Sequence, residues 1–255
     1  MKFIAVIPAR YGSTRLSAKA LADIHGKPMV QHVYERAAKS SAAKVQVATD
    51  DQRVVDALGP FDTPVLMTSP DHLSGTDRLA EVVQQLGLDD EDILVNVQGD
   101  EPLIPPEVIN QVAINLAENP DCVCATLSEP VLSSEDFFDP AVVKVVANRR
   151  GRALYFSRAP IPFPRDQVEE LKSPSIHLPE KINVQRHIGI YAYRAKLLRS
   201  FTQWDPAPLE IVESLEQLRI LFMGEQIHVA QACKEVPPGV DTQADLDNVR
   251  EVMKA

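Results

Sequence analysis

Short apolar runs alternate with amphipathic stretches along the first half of the chain, and that alternation predicts strands separated by helices. Residues 3–7, Phe-Ile-Ala-Val-Ile, have no polar alternation and stop at Pro8, the pattern of a strand buried on both faces. Pro28 can open a helix in which Met29, Val33, Tyr34 and Ala37 recur at helical spacing up to about Lys39. Strands at 45–48, 64–67 and 93–97 then alternate with helices at 51–58, 76–86 and 105–119. Repeated βα order predicts an α/β fold with a mostly parallel sheet covered on both faces, and ligands beyond the carboxyl ends of its strands.

After about residue 127 the pattern changes. Strand-like segments at 142–147, 153–156 and 188–193 are joined by turns, which predicts antiparallel additions in the second half. Pro160, Pro162, Pro164, Pro174 and Pro179 exclude a continuous helix or central strand, so 159–181 reads as a long loop with a functional or interface role. Residues 209–223 predict one amphipathic helix ended by Gly224, with Glu213 and Glu216 on its solvated face, and 242–253 predict a last helix.

Composition narrows the classes. With 255 residues, 45% hydrophobic and 24% charged, the chain is long enough for a full core and reads as a globular protein. A net charge of -10 argues against general attraction to nucleic acid or an anionic membrane, so an anionic ligand must be met by local basicity. No apolar run approaches the ~20 residues that span a bilayer, and a cytoplasmic location is expected. Cys122 and Cys124 fall on one face of a strand as small core residues, and Cys233 has no partner at zinc-like spacing.

Local basicity appears at once. No acidic residue occurs from Met1 through Ala22, while Arg10, Arg15 and Lys19 fall in the loop after the first strand. Gly12, Ser13 and Thr14 can present backbone and hydroxyl donors there, and two guanidinium groups with an ammonium suit a triphosphate. The segment carries neither GxxxxGK[ST] nor GxGxxG. A solvated basic loop is the bland alternative.

The segment Ile7-Pro-Ala-Arg-Tyr-Gly-Ser-Thr-Arg-Leu16, with Lys19 and Gly26-Lys-Pro-Met29, strongly resembles the N-terminal signature of sugar nucleotidyltransferases, specifically the 3-deoxy-D-manno-octulosonate (Kdo) cytidylyltransferase family. The resemblance implies a Rossmann-like nucleotidyltransferase three-layer sandwich in a single domain, 1–255. It departs from the family at Ser17-Ala-Lys-Ala20, where Pro-Gly-Lys-Pro is usual, and the change alters the dihedrals open to the loop that carries Lys19.

In Val95-Asn-Val-Gln-Gly-Asp-Glu-Pro102, Asp100 lies just past a buried strand, where Gly99 lets the chain turn. A strand-end carboxylate there suits Mg²⁺, which uses few carboxylates and keeps water, although a turn aspartate bonded to local backbone reads equally well. Thr242 can cap the last helix with Asp245, which leaves Asp241 spare; the family's Gly-Val-Asp-Thr at this point implies a second metal ligand.

Ser74-Gly-Thr-Asp-Arg78 precedes a helix and matches the family segment that encloses cytosine and ribose, although Ser74 or Thr76 can equally be a cap. The resemblance thus assigns the nucleotide to Pro8, Ala9, Arg10, Arg15, Lys19, Ser74, Gly75, Thr76, Arg78 and Gln98. Further matches at 153–162, 186–193, 209–210 and 214–219 separate Kdo enzymes from those for sialic acid. For the sugar acid they point to Gln98, Arg158, Arg165, His187, Tyr191 and Glu210. The implied reaction uses CTP, Kdo and Mg²⁺, with Arg10, Arg15, Lys19, Asp100 and Asp241 as the catalytic set. A homodimer is implied too, with 141–193 as its contact and sugar-binding subregion. Two other readings stay open, a cytidylyltransferase for another acid sugar and a nucleotide-binding regulator without turnover.

Overall fold

The computed structural model describes residues 1–12, 16, 18–72, 74–171, 177–179 and 182–254. The chain enters β1 (Phe3–Pro8), crosses a small hairpin of β2 (Asp23–Ile24) and β3 (Lys27–Pro28), and continues through α1 (Met29–Ala37), β4 (Lys44–Thr49), α2 (Gln52–Leu58) and β5 (Val65–Met67). Next come α3 (Gly75–Gln85), β6 (Ile93–Asn96), α4 (Pro106–Ala117), β7 (Cys124–Pro130), α5 (Ser134–Phe138), β8 (Lys144–Ala147) and β9 (Ala153–Ser157). It ends with α6 (Val168–Leu171), β10 (Gln185–Arg194), α7 (Ala195–Phe201), α8 (Pro208–Glu213), α9 (Gln217–Phe222), β11 (Ile227–Gln231) and α10 (Gln243–Val252).

The main sheet has the order β11-β7-β10-β6-β1-β4-β5, with β8 attached to β10 and β9 to β8. β1 pairs in parallel with β4 and β6, as do β4 with β5 and β7 with β11. β10 runs against both β6 and β7, and the β8–β9 pair is antiparallel as well. The expected mostly parallel sheet with antiparallel additions is therefore present.

Period-two alternation sends β1 to two cores. Ala5 and Ile7 pack with Val33, Val54 and Val108 from α1, α2 and α4, whereas Val6 packs with Leu79, Leu198 and Leu218 from α3, α7 and α9. Three layers result, because each sheet face buries apolar side chains that only a helix layer covers. Cys122 and Cys124 are buried, as the sequence suggests, and Cys233 is exposed.

One long helix at 209–223 does not form. Ser214 takes a left-handed φ of 53° and divides the segment into α8 and α9. The break has a physical reason in three carboxylates that bond in different directions. Glu210 caps α8 by accepting from the Ala207 amide and pairs with Arg219; Glu213 accepts from the Ser157 hydroxyl and the Arg158 amide. Glu216 accepts from the Thr76 hydroxyl. Glu213 is half-buried by its bonds, whereas Glu216 stays exposed while it reaches Thr76. The proline-rich loop also contains a single turn of helix, α6.

Candidate active site

Two adjoining hollows lie past the ends of β1 and β6. The first is lined by Pro8, Ala9, Arg10, Gly12, Lys19 and Asp100, among others; the second by Thr76, Asn96, Tyr191, Tyr193, Glu216 and their neighbours. Pro8, Gly75 and Gln98 belong to both walls. Gln98 is fixed at this junction by donating to the Gly189 carbonyl at 3.1 Å.

In the first hollow the Lys19 ammonium donates to Asp100 at 2.5 Å and to Asp241 at 3.0 Å. Three residues far apart in sequence thus share one point. Tight backbone contacts make this possible. A Cβ on Gly99 would stand 2.7 Å from the Pro8 carbonyl oxygen, so only glycine lets the turn lie against β1. Gly239 lies against Asp100, and the Val240 amide donates to the Asp100 carbonyl at 2.8 Å, which fastens the two carboxylate loops together. Partial burial pulls the Lys19 pKa down, but hydrogen bonds and charge from Asp100 and Asp241 outweigh it, and the net shift is upward. Beside them, Glu101 is pushed up to about 8, first by burial and then by the Asp100 charge, which keeps the neighbouring carboxyl protonated at neutral pH.

The departure in the Lys19 loop leaves a mark. Ala18 adopts φ 51°, a left-handed conformation that suits glycine, and still delivers Lys19 into a short 3₁₀ turn, Lys19–Leu21. Arg10 donates to the His72 carbonyl at 3.2 Å, and the Arg53 guanidinium stacks 3.4 Å over the Tyr11 ring. Both contacts hold the loop after β1 against the α2 and α3 segments. Arg15, Ser13, Thr14 and Ser17 lie outside the described residues.

Two carboxylates that converge on a cation fit Mg²⁺, which takes one or two protein carboxylates and completes its shell with water and substrate phosphate. Among the described residues no group of three or more His, Cys, Asp and Glu could form a closed metal cage.

The other residues singled out from the sequence have the following surroundings. Ser74 caps α3 in a capping box with Asp77, while Gly75 and Thr76 face the second hollow. Arg78 is 0% exposed and bonds to Asp50 at 2.5 Å and to Thr68, so its charge is neutralised inside the protein and lines neither hollow. Arg158 donates to the Glu213 and Pro140 carbonyls and braces α8. Arg165 is 93% exposed beside Asp166. Glu210 is taken up by Arg219 and the α8 cap. None of these last three lines either hollow.

Tyr191 does line the second hollow, in a 5.5 Å parallel stack with Tyr193. His187 packs behind it, 5.2 Å from the Tyr191 and Phe156 rings and 3.1 Å from the Thr126 hydroxyl. Burial lowers the His187 pKa to about 3. Sequence reasoning missed Asn96, Tyr193, Phe201, Glu216, Gln217 and Ile220 in this wall. Asn96 alone left a signal, as the one polar residue ending the apolar run Ile93-Leu-Val.

With this geometry in place, the comparisons are specific. Residues 4–227 match the family model described as cytidylyltransferase. The protein named 3-deoxy-manno-octulosonate cytidylyltransferase from Cellvibrio japonicus is 59% identical over 100% of this chain and 99% of its own length. That of Saccharophagus degradans is 60% identical over the full length of both. A solved structure of CMP:2-keto-3-deoxy-manno-octonic acid synthetase complexed with CTP superimposes with a TM-score of 0.88 at 44% identity, covering 100% of this chain and 99% of that one. A 4-diphosphocytidyl-2C-methyl-D-erythritol synthase shares the fold alone, with a TM-score of 0.62, 13% identity and coverage of 99% of this chain and 98% of that one. Fold and site define a nucleotidyltransferase. The chain belongs to the cytidylyltransferase family and, within it, to the 3-deoxy-manno-octulosonate cytidylyltransferases.

Two outcomes follow from the strained loop and the buried imidazole. Ala18→Gly relieves the left-handed strain and raises unfolding stability by about 1 kcal/mol in urea titration. The folded chain holds His187 neutral down to about pH 3, whereas the unfolded chain protonates it near 6.5. Its contribution is therefore complete above 6.5 and is lost as pH falls toward 3, so His187→Gln flattens the acid limb of the stability profile there.

Proposed function

We propose that the chain transfers CMP from CTP to the anomeric hydroxyl of Kdo, giving CMP-Kdo and diphosphate and activating the sugar for lipopolysaccharide assembly. The convergence of Lys19, Asp100 and Asp241 beside a hollow that continues past Gln98 into a second one carries this reading. The first hollow takes the triphosphate, where Arg10 and Lys19, together with Arg15, meet its charge. Pro8, Ala9, Ser74, Gly75 and Thr76 then hold the nucleoside at the first turn of α3, where Pro8 and Gly75 belong to both walls and Thr76 to the second. The second hollow takes the sugar, so that Gln98 stands where the two substrates meet.

The sugar hydroxyl forms a bond to the α-phosphorus as the bond to the leaving diphosphate breaks, and no covalent enzyme intermediate is required. Catalysis comes from alignment across the Gln98 wall and from Arg10 and Lys19 facing charge that moves onto the diphosphate. Asp100 and Asp241 would hold Mg²⁺, which supplies further neutralisation of the phosphate oxygens when bound. Lys19, bonded to the same two carboxylates, stands with Asp100 in the wall of the first hollow, where its ammonium faces a bound triphosphate.

Among the described residues, the lining of the second hollow includes Glu216 but no Arg or Lys. A sugar carboxylate is therefore directed to the cationic end, and the hydroxylated tail to the Glu216 end. We read the chain as one domain, 1–255, acting as a cytoplasmic homodimer. Leu154 and Phe163, 62% and 61% exposed within 141–193, support that contact, and among the described residues no helix is long and apolar enough to cross a membrane.

Diphosphate release from CTP, Mg²⁺ and Kdo tests the reaction, and its absence in a folded preparation would refute it. Asp100→Asn and Asp241→Asn are each expected to lower kcat by about 10³-fold or more with little change in thermal midpoint. A near-normal rate removes that residue from the metal site.

A further inference from the structure

The floor of the second hollow contains an acceptor that the protein leaves unused. Asn96 ends β6 and is only 6% exposed, and its carboxamide oxygen is buried with no hydrogen-bond partner among the described residues. Its cross-strand partner on β10 is Tyr191, which lines the same hollow. The Tyr191 hydroxyl is also buried with no hydrogen-bond partner among the described residues, and the Thr126 hydroxyl beside it donates to the Ile188 and Ile190 carbonyls. Native structures leave few buried polar atoms unpaired, and two on facing strands of one cavity call for a donor from outside the chain. The rest of β6, Ile93-Leu94-Val95, is apolar, so packing alone does not ask for asparagine at this point.

The chemistry of the missing partner is restricted. A carboxamide oxygen accepts and cannot pair with a carboxylate oxygen, and Glu216 in the same wall repels a carboxylate. A hydroxyl satisfies both conditions, since it donates to Asn96 and can accept from Tyr191. We propose that Asn96, seconded by Tyr191, is a specificity-determining residue that reads one hydroxyl of the acidic sugar through its carboxamide oxygen. This rests on the reading of the chain as a Kdo cytidylyltransferase. It makes a distinct claim about selection: a sugar lacking that hydroxyl leaves the buried acceptor unpaired and is rejected by more than the loss of one contact with water would explain.

The test measures kcat/KM with Kdo and its monodeoxy analogues for the wild type, Asn96→Leu and Tyr191→Phe, with thermal midpoints for each. Leucine keeps the branched shape, though with larger methyl groups, and removes the acceptor. Asn96→Leu is expected to lower kcat/KM for Kdo by about 10- to 100-fold while KM for CTP stays within about twofold. One monodeoxy analogue loses a similar factor with the wild type and nothing further with Asn96→Leu, because both changes delete the same hydrogen bond. A merely structural role would lower the rate on every analogue by the same factor. Additive losses for all analogues, an unchanged kcat/KM for Kdo, or a shift confined to KM for CTP overturn the proposal. If Asn96→Leu fails to fold, Tyr191→Phe, which deletes only a hydroxyl, is subjected to the same comparison: loss of selectivity against that analogue supports the assignment, and retained selectivity overturns it. A wild type inert toward Kdo sinks the underlying reading, whereas an active wild type beside an indifferent Asn96→Leu sinks only the role of Asn96.

Discussion

One ammonium held between two carboxylates organises the site of this protein. Lys19 leaves the loop after β1, Asp100 the turn after β6, and Asp241 the approach to α10, so the contact draws together segments more than eighty positions apart in sequence. The parallel strands explain why it forms where it does. β1 and β6 are neighbours in register, their carboxyl ends open on the same side, and the loops that follow share that edge. Glycine at 99 lets the second loop lie against Pro8, and the Val240 amide ties the third to the second. Without those close approaches the carboxylates would stand apart, and neither a lysine nor a divalent cation could bridge them.

The same need for compensation runs through the rest of the fold. In a chain of net charge -10, internal carboxylates and carbonyls take up several of the guanidinium groups. Arg78 is neutralised by Asp50 and Arg219 by Glu210, while Arg158 holds the carbonyl of Glu213. Buried charge must be paired or bonded in this way. Among the described residues, Arg10 and Lys19 line the first hollow together with Asp100, so cationic and anionic groups share that edge.

This partition shows what was legible beforehand. Strand and helix positions in the first half followed from apolar periodicity, because both sheet faces are buried and the signal is undiluted. The break at Ser214 was invisible to periodicity, since 209–223 repeats apolar residues at helical spacing across it; only the bonds of Glu210, Glu213 and Glu216 reveal why the helix stops. The short helix at Ala195–Phe201 and the strand at Ile227–Gln231 depend on partners distant in sequence. Lys19, Asp100 and Asp241 could be singled out from loop position and family resemblance. Arginines 78, 158 and 165 could not be sorted, because a motif gives the residue type and not the direction in which its side chain finds a partner. The second hollow was least legible, being assembled from β6, β10, α3, α7 and α9.

Binding of Mn²⁺ followed by electron paramagnetic resonance, with CTP present, isolates the cation site from turnover. If Asp100 and Asp241 together hold the metal, Asp100→Asn and Asp241→Asn each weaken Mn²⁺ binding by about tenfold or more relative to the wild type. Equal Mn²⁺ affinity in the wild type and both variants would contradict the assignment and leave the Lys19 contact as a salt bridge with no part in cation binding.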